Sequence, residues 1–174
     1  MYRDGVGDSQ RNDVLQKEVS QFYSAIEELY NKASKKPFIT VVIVNKRINQ
    51  RFFTIQGKSV VNPTSGTLID STVVESAENN TEYDFYLIPQ NTTQGCVTPT
   101  HFYVAYDNSP LKKDVLEKLT FDLCYYYFNW QGPIKVPAPC MYAHKMAELY
   151  VLIDNKGKNK TQFTPEVTKS FHFL

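Results

Sequence analysis

The sequence has few of the features that mark secreted, zinc-binding or membrane-spanning proteins. Its three cysteines, Cys96, Cys124 and Cys140, are an odd number without Cys-x-x-Cys spacing. This pattern predicts reduced thiols of an intracellular protein, because a disulfide framework or a zinc site needs paired or clustered cysteines. No apolar run is long enough to cross a membrane, and Met1 is not followed by the apolar core of a signal peptide.

A large excess of either charge is also missing. The chain has 19 Lys and Arg against 18 Asp and Glu, which gives a formal net charge of +1. Binding to nucleic acid would therefore have to come from local clusters of basic side chains. The 174 residues are 42% hydrophobic and 14% aromatic, which suits one folded domain, or a large piece of one, and excludes a disordered or fibrous chain.

The first part of the chain has the pattern of a strand, a helix and a buried strand. Residues 11–33 carry apolar side chains at alternating intervals of four and three, which predicts an amphipathic helix. Residues 38–44 (FITVVIV) predict a strand that is buried on both faces, as in a parallel sheet covered by helices. With Tyr2-Arg3-Asp4 as the end of a preceding strand, these elements form a βαβ unit, so the chain is predicted to be α/β.

Further elements follow along the chain. Short strands are predicted at residues 67–74, 84–88 and 95–106, and helices at residues 111–127 and 141–153. Residues 134–139 should be extended, because two prolines disfavour a helix there. His144 would then lie in the first turn of the last helix.

Asp4 is the first candidate for chemistry. An aspartate at the carboxyl end of a strand faces the crevice in which α/β proteins bind ligands, and a carboxylate there suits Mg²⁺ or Mn²⁺. The alternative interpretation is that Asp4-Gly5 simply makes a turn.

Histidine supplies the second group of candidates. His144 could complete a metal site with oxygen ligands, or it could be an ordinary, partly buried histidine. His101 and His172 are equally plausible from their residue type and position, so spacing alone does not choose among the three.

Basic side chains cluster in two places. Lys46, Arg47 and Arg51 are interleaved with aromatic residues and could hold phosphates and stack on bases, or could form a solvated strand end. Lys135 lies in a similar mixture of polar and aromatic residues that includes Tyr127.

Several longer blocks of sequence resemble the C-terminal part of the PIWI domain of Argonaute and Piwi proteins, and the likeness is strongest to the Piwi clade. The blocks are YRDGVGDSQ at 2–10, ITVVIVNKRINQRFF at 39–53, GTLIDSTVV at 66–74, DFYLIPQNTTQGCVTPTHFYVAYD at 84–107, LTFDLCYYYFNWQGPIKVPAPCMYAHKMA at 119–147 and the tail SFHFL. They occur in order and cover almost the entire chain. The combination of NWQG, VPAPC and YAHK is highly specific.

The resemblance implies an RNase H-like α/β fold, with a mixed sheet flanked by helices, over residues 1–174. It also implies a protein that holds a small, piRNA-like guide RNA and, in active members, cuts complementary target RNA with two Mg²⁺ or Mn²⁺ ions. The family's metal-binding tetrad is Asp, Glu, Asp, His. The motifs place its second Asp at Asp4 and its His at His144, both of which would be catalytic metal ligands.

The same resemblance places the other two acids, the first strands of the fold and the MID, PAZ and N domains outside this sequence. Met1 is then not expected to be the start of the complete protein. With half of the tetrad, this chain alone is not expected to cleave RNA, and an uncovered sheet edge would make it poorly soluble. Whether the protein is an enzyme thus depends on the two acids upstream of Tyr2.

The resemblance further implies contacts with the guide RNA. Lys46 and Arg47 match a basic pair along the guide backbone, and Gln94, Tyr127 and Lys135 match positions that touch guide phosphates. Leu174 matches the terminal residue whose carboxylate lies near the site of the guide's 5′ phosphate. The expected setting is the cytoplasm, the nucleus or both, with silencing proteins as further partners and no membrane. The alternatives are a guide-RNA-binding scaffold that does not cut, or a truncated fragment without activity of its own.

Overall fold

The computed structural model describes residues 1–74 and 82–156. The expected aromatic C-terminus, with Leu174, and most of the polar loop expected at residues 155–160 lie outside the described residues. None of the described helices is both long and apolar enough to cross a membrane.

A mixed five-stranded sheet forms the centre of the described part of the chain. Its strands are β1 (Tyr2–Asp4), β2 (Thr40–Asn45), β5 (Thr67–Ile69), β6 (Tyr83–Ile88) and β7 (Thr100–Asp107). Their order in the sheet is β1-β2-β7-β6-β5, in which β1 and β2 are parallel and the other neighbours are antiparallel. A separate hairpin of β3 (Thr54–Gln56) and β4 (Ser59–Val61) turns at Gly57, whose φ is +61°.

Strand β2 is buried on both faces, as its sequence predicts. Val42 and Val44 face a core that includes Phe102 and Leu116, while Val41 and Ile43 face a second core. Strong packing on both sides follows from the near-continuous apolar sequence. The sheet is therefore covered by a helical layer on each face.

One of these layers is the long helical segment that follows β1. It consists of a 3₁₀ turn (Asp8–Gln10), helix α1 (Arg11–Asp13), a π-helical stretch (Val14–Val19) and helix α2 (Ser20–Tyr30). The helix predicted for residues 11–33 is thus present, although it ends at Tyr30. Val14 and Val19 are buried against the sheet.

The opposite layer contains helices α3 (Lys113–Leu123) and α4 (Ala138–Lys156). The last helix begins at Ala138, so the predicted start at Met141 is wrong and His144 lies in the second turn. Pro139 is tolerated because the first turn of a helix has N–H groups without intrahelical partners, and proline lacks this group. Residues 134–137 remain outside regular structure.

Two other predictions need correction. The strand predicted for residues 67–74 ends at Ile69, and Thr72 has a φ of +66°, a left-handed conformation that cannot continue a strand. The strand predicted for residues 95–106 begins at Thr100, after Pro99. The hairpin of β3 and β4 was not predicted, although its two-residue turn at Gly57-Lys58 is a recognisable signal.

Candidate metal site and nucleic-acid interface

A cavity of about 980 Å³ opens where β1 and β2 end and β7 begins. The register aligns Asp4 with Val44, and the next residue, Asn45, with His101. Because β1 and β2 are parallel and β7 is antiparallel to β2, the ends of three strands meet at one edge of the sheet. This is the edge at which α/β proteins commonly bind ligands.

Asp4 is the last residue of β1 and faces this cavity. Lys46 Nζ donates a hydrogen bond to Asp4 Oδ2 at 2.6 Å, and the two side chains are 41% and 26% exposed. Gly5 follows with a φ of +77°, which lets the chain leave the sheet at once. The Asp-Gly turn and the cavity-facing carboxylate are therefore both present.

His144 lines the same cavity from helix α4. Its Nε2 lies 3.1 Å from Glu148 Oε1, one helical turn later. A histidine whose one nitrogen is held by a carboxylate is a common arrangement in metal sites, because the second nitrogen is then oriented for a ligand. The structure thus places Asp4 and His144 in the wall of one cavity, although 140 positions separate them in the sequence.

A second aspartate in the cavity wall was not predicted as a site residue. Asp84 Oδ2 lies 2.6 Å from His101 Nε2, and both side chains are buried. The His101 ring stacks on Tyr86, with 4.6 Å between the ring centroids. The signal in the sequence was an acid inside the apolar strand YDFYLI, because a buried carboxylate needs a partner.

The cavity wall holds two side chains, Asp4 and His144, whose donor types could bind a metal ion. Asp4 supplies a hard oxygen, His144 supplies an imidazole, and the ammonium of Lys46 already occupies the position of a cation beside Asp4. In residues 1–74 and 82–156, no group of three or more His, Cys, Asp or Glu side chains is close enough to hold an ion. The donor types fit Mg²⁺ or Mn²⁺, and further ligands would have to come from other residues.

Cys140 also lines the cavity but is unsuited to act as a nucleophile or thiolate ligand. Burial, with a smaller contribution from the nearby Asp4 charge, raises the pKa of the Cys140 thiol to about 11. The thiol is therefore protonated at neutral pH.

The cavity wall carries more positive than negative side chains. Among the described residues, its charged members are the cations Arg3, Arg11, Lys46 and Arg47 and the carboxylates Asp4 and Asp84. Arg3 Nε donates a bifurcated hydrogen bond to the two carboxylate oxygens of Glu18, at 3.0 and 3.1 Å. A cavity with this charge suits a polyanion.

The remaining expected contacts with RNA lie elsewhere. Gln94 and Lys135 are exposed but do not line the cavity, and Tyr127 is only 8% exposed, with its ring 5.5 Å from that of Tyr142. The structure brings Lys46 and Arg47 to the metal-site candidates and leaves the other three apart. Their roles stay predictions.

A family model for the Piwi domain matches residues 1–152. This chain belongs to the Piwi domain family. It is 45% identical over 152 residues to Piwi-like protein 1 of Gallus gallus and 43% identical over 149 residues to Piwi-like protein 3 of Homo sapiens. These matches cover 86% of the chain and 16% of each relative, so the chain spans about a sixth of the length of the curated relatives it matches.

Solved structures agree with the Piwi assignment. Drosophila Piwi superposes with a TM-score of 0.72 at 34% identity, over 85% of this chain and 20% of that one. The C-terminal lobe of a budding yeast Argonaute gives a TM-score of 0.79 at 21% identity, over 99% of this chain and 38% of that one, which supports the fold alone. The resemblance to the C-terminal part of a PIWI domain and the RNase H-like α/β fold are thereby confirmed.

Proposed function

We propose that this Piwi chain contributes the Asp and His of a two-metal nuclease site and part of the guide-RNA channel. In this proposal, residues 1–174 are the C-terminal part of a PIWI domain in a protein that also has MID, PAZ and N domains. The protein would hold a small, piRNA-like guide RNA and silence complementary target RNA. The observation that carries the proposal is one cavity that contains Asp4, His144, Lys46 and Arg47.

The role of each side chain follows from its chemistry. Asp4 and His144 would be ligands, and Lys46 and Arg47 would pair with phosphates of the nucleic acid. When bound, two divalent ions supply charge stabilisation for the attacking and leaving oxygens of phosphodiester hydrolysis. The fold is shared with the Kluyveromyces polysporus Argonaute, whose crystal structure was solved with a guide RNA, and at 24% identity this likeness supports the fold alone.

A second candidate function is a guide-RNA-binding scaffold that does not cut. It would apply if either of the two acids that complete the site is replaced in the complete protein. The two readings differ only in the acids that complete the site. In either case the setting would be cytoplasmic, nuclear or both, with silencing proteins as further partners. A third reading, a fragment without activity of its own, applies if this chain is expressed alone.

The test uses the protein expressed from its complete gene and loaded with a 5′-phosphorylated guide. With Mg²⁺ and a complementary target, Asp4→Ala should lower the cleavage rate by at least about 100-fold, since several kcal/mol of charge stabilisation depend on the metal. Guide affinity should be retained. Asp122→Ala is the matched control, because Asp122 pairs with Lys118 on the exposed face of α3. Undiminished cleavage by Asp4→Ala would overturn the assignment, and guide binding without cleavage by the wild type would favour the scaffold.

A further inference from the structure

We propose that Lys46 couples metal binding at Asp4 to RNA binding. In this arrangement the Lys46 ammonium pairs with the Asp4 carboxylate until a phosphate of the bound RNA draws it away. Lys46 would thus be a positioning residue that lowers the cation affinity of the site in the absence of RNA. The inference rests on the proposed function, because it takes Asp4 as a metal ligand and Lys46 as a phosphate contact.

The contact between the two side chains is direct. Lys46 Nζ lies 2.6 Å from Asp4 Oδ2, a short charge-assisted hydrogen bond. A divalent cation that binds the same carboxylate must displace this ammonium or approach it closely. Both arrangements cost free energy, because like charges a few ångströms apart repel and the hydrogen bond is weakened or lost.

The pair can nevertheless exchange, because both of its members reach solvent. The Lys46 side chain is 41% exposed, and it follows the end of β2 in a stretch without regular secondary structure. A lysine side chain has a long flexible stem, so its ammonium can turn from Asp4 to a nearby phosphate without movement of the sheet. Arg47, the next residue, lines the same cavity and adds a second positive charge for the same RNA strand.

The neighbouring aspartate cannot play the same part. Asp84 is paired with His101, and these side chains are only 7% and 11% exposed. A cation or a phosphate would have to enter the packed sheet to separate them. Among the described residues that line the cavity, Asp4 is therefore the carboxylate that can exchange its partner.

The proposal implies that RNA and the cation raise each other's affinity for the protein. If RNA raises the affinity for a cation by some factor, the cation must raise the affinity for RNA by the same factor. A partly exposed ion pair is worth up to about 1 kcal/mol, so the expected factor is about fivefold.

The experiment measures Mn²⁺ binding by the electron paramagnetic resonance signal of free Mn²⁺. It uses the protein expressed from its complete gene, with and without a 5′-phosphorylated single-stranded RNA, and subtracts the Mn²⁺ that RNA binds alone. We expect RNA to tighten Mn²⁺ binding about fivefold in the wild type. Lys46→Gln should bind Mn²⁺ about fivefold more tightly without RNA, and RNA should then add little. Lys46→Arg should behave like the wild type.

Two controls separate the possible failures. Lys118→Gln removes a lysine that pairs with Asp122 on exposed helix α3, and it should leave Mn²⁺ affinity unchanged. Asp4→Asn should weaken Mn²⁺ binding, and a result without that loss would overturn the proposed metal site itself. If Asp4→Asn weakens binding but Lys46→Gln matches the wild type with and without RNA, the metal site stands and the coupling through Lys46 is overturned. The reciprocal readout, RNA affinity with and without Mn²⁺, should show the same factor.

Discussion

Two aspartates in one cavity each pair with a basic side chain, and they differ in how far water reaches them. The Asp4–Lys46 and Asp84–His101 pairs have the same separation of 2.6 Å. The side chains of the first pair are 26% and 41% exposed, whereas those of the second are 7% and 11% exposed. The distance within the pair is the same in both cases. Burial therefore distinguishes the pair that a cation or a phosphate can separate from the pair that stays together inside the fold.

The difference follows from where each aspartate lies along its strand. Asp4 is the last residue of β1, so its carboxylate is at the open edge of the sheet. Asp84 lies inside β6, with Tyr103 of β7 as its cross-strand neighbour. A carboxylate that must bind a cation has to be reachable, and one that anchors two strands does not. The cavity thus contains a candidate for chemistry and a structural pair side by side.

The largest effect is expected when the buried pair is broken. Asp84→Ala should lower the free energy of unfolding by about 3 kcal/mol, because it leaves His101 buried without its partner. Asp4→Ala should change it by less than about 1 kcal/mol, since its pair is partly exposed. Urea unfolding of the 174-residue chain, followed by circular dichroism, measures both values.

A double-mutant cycle separates the pair from its surroundings. His101→Ala alone also removes the stack on Tyr86, so the informative value is the difference between the double variant and the sum of the two single variants. Equal losses from Asp84→Ala and Asp4→Ala would show that burial does not distinguish the pairs.

A third carboxylate, that of Glu117, is buried but lies farther from its ion-pair partner than either aspartate does. Glu117 on α3 is 4% exposed, and its nearest ion-pair partner is Lys113, with 3.8 Å between Nζ and Oε1. Among the described residues, Oε1 has no hydrogen-bond partner. Burial, opposed by Lys113 and assisted by Asp70 and Asp114, raises the pKa of Glu117 from 4.5 to about 7.

The sign of the pH dependence follows from this raised pKa. Between pH 4.5 and about 7 the folded chain holds a proton that the unfolded chain releases, so stability falls as the pH rises through this range. Above pH 7 the folded chain bears the full cost of a buried charge. Glu117→Gln should therefore stabilise the chain by about 3 kcal/mol above pH 7 and have little effect below pH 4.5. Urea unfolding at pH 4.5 and pH 8 checks this, and a gain of the same size at both values would contradict it.

Parts of this arrangement could be predicted from the sequence, and other parts could not. The buried strand β2 and the helical segment before it follow from apolar spacing, because residues 38–44 leave no polar face. Asp4 and His144 could be chosen as a pair only through the resemblance to PIWI domains, since spacing does not distinguish His144 from His101 and His172. Their shared cavity depends on strand order, which no local pattern contains.

The side-chain contacts in the cavity could not be predicted from local sequence patterns. The Lys46–Asp4 bond joins residues 42 positions apart and depends on the conformation of a long side chain. The sequence places His144 one turn too early in the helix, because two prolines predict an extended segment up to Pro139, whereas Pro139 fits the first turn of the helix. Asp84 could be recognised from the sequence as an acid inside an apolar strand, but its partner His101 could not.

The smallest effect is expected for the exposed side chains of Lys46 and Arg47, and it appears in the affinity of the protein for RNA. Replacing both Lys46 and Arg47 by Ala in the protein expressed from its complete gene removes two candidate phosphate contacts. Affinity for a single-stranded guide should fall about tenfold at low salt, and the slope of log affinity against log salt should become shallower by about 1.4, the value for two contacts with a single strand. Filter binding at several salt concentrations measures both quantities.

The matched control is Lys112→Ala with Lys118→Ala, which removes the same charge outside the cavity and should leave the slope unchanged. An unchanged slope for the Lys46 and Arg47 variant would mean that these side chains do not meet the backbone of the guide, so the open pair at Asp4 could not respond to RNA.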